Sequence, residues 1–258
     1  MRRLAALFLL ACIPTAEAAA PLAAHHAVYK LVLQSARGDI IAATGTMTYD
    51  ITDACTGWTS AQRLQMTVTN RDGQDVRMLS DYATWEAKDG TKLDFHMRQT
   101  TDQAVTDQID GEATLDHSGG SGAVRYTSPQ AKMMALPDGT LLPMAHTAAL
   151  IAAAEAGKRF LALPLFDGTG TDGAQDTFIT IANWGGPQPV AWPGLSKLPS
   201  GRVHIAFFTR AKSAQTPDYE IGMRYWENGV ADDLSMNFGD FTMQGRLSEF
   251  HLAAPPHC

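Results

Sequence analysis

Lysine and arginine never gather into a run along the body of this sequence, and apolar residues never gather into a stretch long enough to cross a bilayer. The first absence removes the basic patch that phosphate backbones and anionic lipid surfaces require, so no nucleic-acid partner is expected. The second argues against an integral membrane protein spanning with helices. Also missing are the G-x-S-x-G elbow, the phosphate-binding G-x-x-x-x-G-K and the metal-binding His-Glu-x-x-His; each of these carries its chemistry only in a defined strand or helix context. Gly168-x-Gly170-x-x-Gly173 has dinucleotide-fingerprint spacing, yet a strand pattern follows it where a helix N-terminus would have to receive the pyrophosphate. Gly119-Gly120-Ser121-Gly122 reads as a flexible turn. No cofactor, metal or catalytic residue is expected.

What is present begins at the N-terminus. Met1-Arg2-Arg3 is followed by the apolar run Leu4 to Ile13 and by Ala16-Glu17-Ala18, the order of a secretory signal peptide covering residues 1–18. Export to the periplasm is the expectation. Leu9-Leu10-Ala11-Cys12 also resembles a lipid-attachment box, which leaves an anchor through Cys12 as the alternative. Removing residues 1–18 takes Arg2, Arg3 and Glu17 and moves the formal charge from −7 to −8. Residues 19–258 carry no Pro/Ser linker or break in composition and read as a single domain, expected to be monomeric.

Cysteine is scarce: of three, Cys55 and Cys258 remain after export. An even count in an oxidising compartment suggests a bridge. Two free thiols, or a metal site using Cys55, His257 and Cys258, are the other readings.

Period-two alternation rich in β-branched and aromatic residues recurs at 27–34, 41–49, 58–69, 76–86, 92–99, 177–184, 203–210, 219–227 and 241–252. Hairpin signals stand at Arg37-Gly38-Asp39, Asn70-Arg71-Asp72-Gly73, Lys88-Asp89-Gly90, Pro137-Asp138-Gly139 and Glu227-Asn228-Gly229. These predict a mainly β fold, a long antiparallel meander of a dozen or more strands curled into an open barrel or β-spiral. The Ala-rich segment after Pro143, about 144–157, predicts one apolar helix packed in or against the sheet, with Leu150 and Ile151 inward. Two Gly/Pro-rich stretches between Pro164 and Pro199 read as loops on one rim, in which Trp184 and Trp192 are candidate ligand contacts or packing anchors.

His25-His26 read as exposed residues near the mature start, His96 and His204 as structural histidines in strands, and Asp50, Asp53, Asp232 and Asp233 as turn and surface carboxylates. Eight methionines (Met66, Met78, Met97, Met133, Met134, Met223, Met236, Met243) are either ordinary core or the lining of an adaptable apolar surface.

The stretch Gly45-Thr46-Met47-Thr48-Tyr49-Asp50-Ile51-Thr52-Asp53-Ala54-Cys55-Thr56-Gly57-Trp58, continuing through Gln62-Arg63-Leu64 to Asn70-Arg71-Asp72-Gly73, resembles the EipB family of periplasmic envelope proteins. The motif of the resemblance is Asp53, Ala54, Cys55, Gly57 and Trp58. The resemblance implies a β-spiral around a helix, a Cys55–Cys258 bridge and a non-enzymatic role in envelope integrity under stress. The curled sheet is similar to that of carriers that hold acyl chains, an analogy of fold alone. The expected partner is a periplasmic protein, a peptide or a lipid-like ligand on the curved sheet. The alternative is an envelope hydrolase or isomerase using carboxylates or histidines at the barrel mouth.

Overall fold

The computed structural model describes residues 22–210, 216–254 and 256–258; the expected signal peptide and Cys12 lie outside them. The first half of the chain lays down eight strands: β1 (His25–Ala36), β2 (Ile40–Asp53), β3 (Gly57–Asn70), β4 (Asp75–Ala87), β5 (Lys92–Thr101), β6 (Ala104–Leu115), β7 (Gly122–Ser128) and β8 (Lys132–Leu136). The helix α1 (Pro143–Glu155) follows, then β9 (Phe160–Leu165), β10 (Gln175–Gly185), β11 (Ser200–Thr209), β12 (Tyr219–Trp226), β13 (Ala231–Asn237) and β14 (Phe241–Leu252).

All fourteen strands form one antiparallel sheet in the order β8-β7-β6-β5-β4-β3-β2-β1-β14-β13-β12-β11-β10-β9. Every neighbour is a sequence neighbour except at the centre, where β1 pairs with β14 from His25↔Leu252 to Ala36↔Phe241. The sheet is a mainly β, open spiral. Its two ends, β8 and β9, share no ladder, but Leu141 bridges to Leu165: its N–H donates to the Pro164 carbonyl and its own carbonyl accepts from Phe166.

Alternation places Ala27, Tyr29 and Leu31 of β1 inward, all nearly inaccessible. The concave face forms two apolar clusters. One joins β1–β3 and β10–β14 to Leu150, Ile151 and Ala154 of the helix. The other joins β5–β8 to Leu142, Phe166 and Ala174, with Phe95, Tyr126 and Phe166 meeting edge to face. Apart from His146, Thr147 and the exposed Glu155, the helix is built of apolar residues, and its Leu150, Ile151, Ala153 and Ala154 are buried.

Four of the five turn signals connect adjacent strands, each with a glycine at positive φ (Gly38, Gly73, Gly90, Gly229). The fifth is not a hairpin: after Pro137-Asp138-Gly139 the chain leaves the sheet through Leu141 and enters α1, with the Gly139 N–H donating to the Gly119 carbonyl. Five strands carried no readable sequence pattern. β6 follows a turn whose left-handed residues are Asp102 (φ 49°) and Gln103 (φ 72°), not glycines, and its first five residues are exposed. β7 and β8 are short, β9 contains Pro164 and survives as an edge strand, and β13 opens with two aspartates. The Gly/Pro-rich stretches lie in loops at 166–174 and 186–199.

Candidate functional site

Where the two halves of the spiral face each other, their inward rows do not meet. They leave a cavity of about 520 Å³, inside the range of small-molecule sites. One wall is Gln62, Leu64 and Met66 of β3, Met78 and Tyr82 of β4, and Met97 of β5; the other is Ile205, Phe207, Met223 and Met236 of β11–β13, with Phe238 beyond them. Pro143, His146 and Thr147 of α1 and Asp167 of the following loop complete the lining. Five of the eight methionines read from sequence converge here. Of the others, Met243 is fully buried core, Met134 packs on the second cluster and Met133 is exposed. Met78 is 39 % exposed, an apolar side chain that the fold leaves partly uncovered.

The helix N-terminus at this cavity has no cap of its own, because Leu142 has no side-chain acceptor. Glu86 of β4 supplies it from across the fold: its Oε2 accepts the Met144 N–H (2.7 Å) and its Oε1 the Ala145 N–H (3.0 Å). Burial pushes the Glu86 carboxyl up to about 7, against the pull of those two N–H donors. One residue further, burial lowers His146 to about 4. Thr177 donates its hydroxyl to the Leu163 carbonyl, so the neutral His146 donates through Nε2 to Thr177 Oγ1 (3.0 Å). Asp167 holds both the N–H and the hydroxyl of Thr169 on Oδ1, Tyr82 donates its hydroxyl to the Asp167 carbonyl, and burial raises the Asp167 carboxyl. Glu86, His146 and Asp167 are not bonded to one another. Glu86 was invisible in sequence because the donors it serves lie 58 and 59 residues away.

The motif residues form the β2–β3 turn at one rim. Cys55 adopts a left-handed φ of 65°, and Asp53 Oδ1 accepts its N–H. Lys88, beyond β4, donates to Asp53 Oδ2 (2.7 Å), holding that carboxyl below its usual range, while its ammonium lies 4.0 Å from the Trp58 ring centre. Ala54 donates its N–H to the Gly57 carbonyl. A side chain on Gly57 would meet the Trp85 ring at 2.5 Å. Cys55 is joined to Cys258, with Cα atoms 5.8 Å apart across 203 residues of sequence. Cys55, His257 and Cys258 do not form a metal-binding group among the described residues.

Other candidates stand apart. Trp184 lies in strand β10, not in a loop as the Gly/Pro-rich surroundings predict, and packs on the first cluster; Trp192 lies in the following loop edge-on to Phe250, and neither lines the cavity. His25 and His26 are strand residues, not an exposed pair: His25 is buried with Nδ1 on the Ala23 carbonyl, and His26 faces Asp50 on the neighbouring strand. His96 and His204 do lie in strands, but on the solvent face, His96 opposite Asp110 and His204 diagonal to Glu220 on β12. Asp233 is held by Arg202 and Arg246, and Asp232 accepts the Leu247 N–H. Such partners follow from strand register, which composition does not reveal.

A single curled antiparallel sheet that wraps a helix and keeps an apolar hollow places the chain in a class of barrel-like, open β proteins. Within that class the chain belongs to the EipB-like family, whose model matches residues 16–254. It is 31% identical over 249 residues to the cell envelope integrity protein EipB of Brucella abortus (strain 2308), across 92% of this chain and 87% of that protein. It also matches the crystal structure of a beta-barrel-like protein of a domain of unknown function from Brucella abortus. The TM-score is 0.83 at 27% identity, covering 92% of this chain and 100% of that one. No helix among the described residues is long and apolar enough to cross a membrane.

Proposed function

We propose that the exported chain, residues 19–258 stapled by Cys55–Cys258, supports cell-envelope integrity in the periplasm without catalysis, by holding one apolar chain in the cavity between the halves of the spiral. The observation that carries this reading is the cavity itself: flexible, polarizable methionines from five strands line it and adapt to ligands of varied shape. The kinship with a protein named for envelope integrity supplies the setting. Against a hydrolase or isomerase stands the geometry of the titratable groups. His146 is spent on Thr177 and Glu86 on the helix N-terminus, and Asp167, with Oδ1 on its own turn, is bonded to neither, which leaves no acid and base converging on a reacting atom.

A strain lacking the gene is expected to become sensitive to detergents and cell-wall antibiotics, and the wild-type gene to restore tolerance. Met78→Trp, which fills the cavity at a partly uncovered position, should accumulate and melt like wild type yet fail to restore. Normal tolerance in the deletion strain would remove the envelope role; full restoration by Met78→Trp would remove the cavity from it.

A further inference from the structure

Among the described residues, the side chains that line the cavity include no lysine or arginine. Arg77, next to Met78 in β4, is not in the lining; it borders an adjoining depression that shares Met66, Met78, Leu79 and Thr100 with the cavity. Lys132 donates its ammonium to the Thr171 carbonyl and is also outside the lining. The one acidic side chain on the described wall is Asp167, whose carboxyl burial raises while the Thr169 donors pull it back. Both Thr169 donors end on its Oδ1, and neither uses Oδ2. Gln62, Gln99 and Thr101 add neutral polar groups on the β3 and β5 wall.

An anionic head group drawn into this space loses its water, finds no cation to replace it and meets a carboxylate of its own sign. A head group bearing N–H or O–H donors meets the opposite situation, because Asp167 Oδ2 accepts, while the glutamine amides can serve either kind of head group. We propose that the cavity selects single-chain amphiphiles whose polar end is an uncharged or cationic hydrogen-bond donor, and discriminates against fatty acids and phosphate-headed lipids. This rests on the reading of the cavity as the holder of an apolar chain and adds to it the chemistry of the head group. The selectivity is built by omission: a carrier of anionic lipids would place Lys or Arg at the lining, and the described lining has neither.

The test is calorimetric titration of the full exported protein at pH 7.5 with three probes sharing a 12-carbon chain, each below its micelle concentration: dodecanoate, dodecylammonium and monododecanoylglycerol. Dodecanoate is expected to bind at least about tenfold more weakly than the other two, since like charges in contact cost several kcal/mol. Asp167→Asn keeps an acceptor for Thr169 and removes the charge, so the gap should shrink to within about threefold. If the discrimination merely reflected the net negative charge of the protein, it would survive Asp167→Asn, and the assignment would be overturned. Equal binding of all three probes to the wild type overturns the head-group inference and leaves the apolar site standing. Binding of none overturns both.

Discussion

Glu86 and His146 sit at the same helix turn with opposite titration behaviour. Glu86 is an acid whose folded value, about 7, exceeds its ordinary 4.5. Between those values the folded chain binds more protons than the unfolded one, so this residue's contribution falls as pH rises through the window. His146 is a base whose folded value, about 4, lies below its ordinary 6.5, so its contribution is complete above pH 6.5 and is lost as pH falls toward 4. Each effect is on the order of 3 kcal/mol, and from about pH 4.5 to 6.5 they oppose each other. Urea unfolding at pH 5 and pH 7.5 should separate them. The stability of Glu86→Gln relative to wild type should rise between those pH values, and that of His146→Gln should fall; parallel profiles for all three proteins would refute the assignment. Neither residue announces this role in sequence. His146 reads as one histidine in an Ala-rich helix, and Glu86 as the polar end of an alternating strand, because their partners lie far off in sequence: Glu86 of β4 caps α1, and His146 bonds Thr177 of β10.

At the scale of elements, the helix has two different faces despite its uniform composition. Ala154 is 1 % exposed within the first cluster, whereas Ala152 borders a second hollow of about 590 Å³ that also touches Trp58 and Lys88. Ala154→Leu should therefore cost about 1–3 kcal/mol by overpacking, while Ala152→Leu, with room to extend, should leave the urea midpoint nearly unchanged. Equal losses would mean that the helix is gripped on all sides. The existence of this helix, its Pro143 start and its inward Leu150 and Ile151 were all readable, because Ala-rich composition and a Pro at the first turn act locally. Nine strands were readable for the same reason: period two survives wherever one face is buried. Three of the five strands that escaped lie where that condition fails, in the exposed start of β6 and the short or Pro-containing edges β8 and β9; β7 and β13 alternate but span only seven residues each. The cavity was readable only as a list of methionines. Which five would meet depends on β3–β5 facing β11–β13, a relation that no local pattern contains.

The whole molecule has an inverted layout: the chain ends supply its central strands, and the middle of the sequence supplies its edges. β1 and β14 are held by eleven residue pairs, and His25 faces Leu252 on one side and Ile51 on the other. The end of β14, the start of β1 and the end of β2 thus share one rim. From Leu252 the tail has six residues, 253–258, in which to reach the β2–β3 turn. At about 4.8 Å per strand that is a traverse of two to three spacings, within the reach of six extended residues. The Ala253 N–H, donating to the Ala24 carbonyl, starts it on that course. A bridge placed here does not create the β1–β14 pairing; it closes a loop of 203 residues in the unfolded chain. Cys55→Ser, Cys258→Ser and the double variant should therefore keep the wild-type far-ultraviolet circular dichroism and lose the same stability in urea, about 2–5 kcal/mol, as should reduced wild type. A double variant clearly less stable than either single one would show that the two positions contribute separately and not through one covalent link. Loss of strand signal in any of them would mean that the central pairing depends on the staple, because eleven backbone pairs at the middle of a sheet would then be too few to hold the two ends of the chain together.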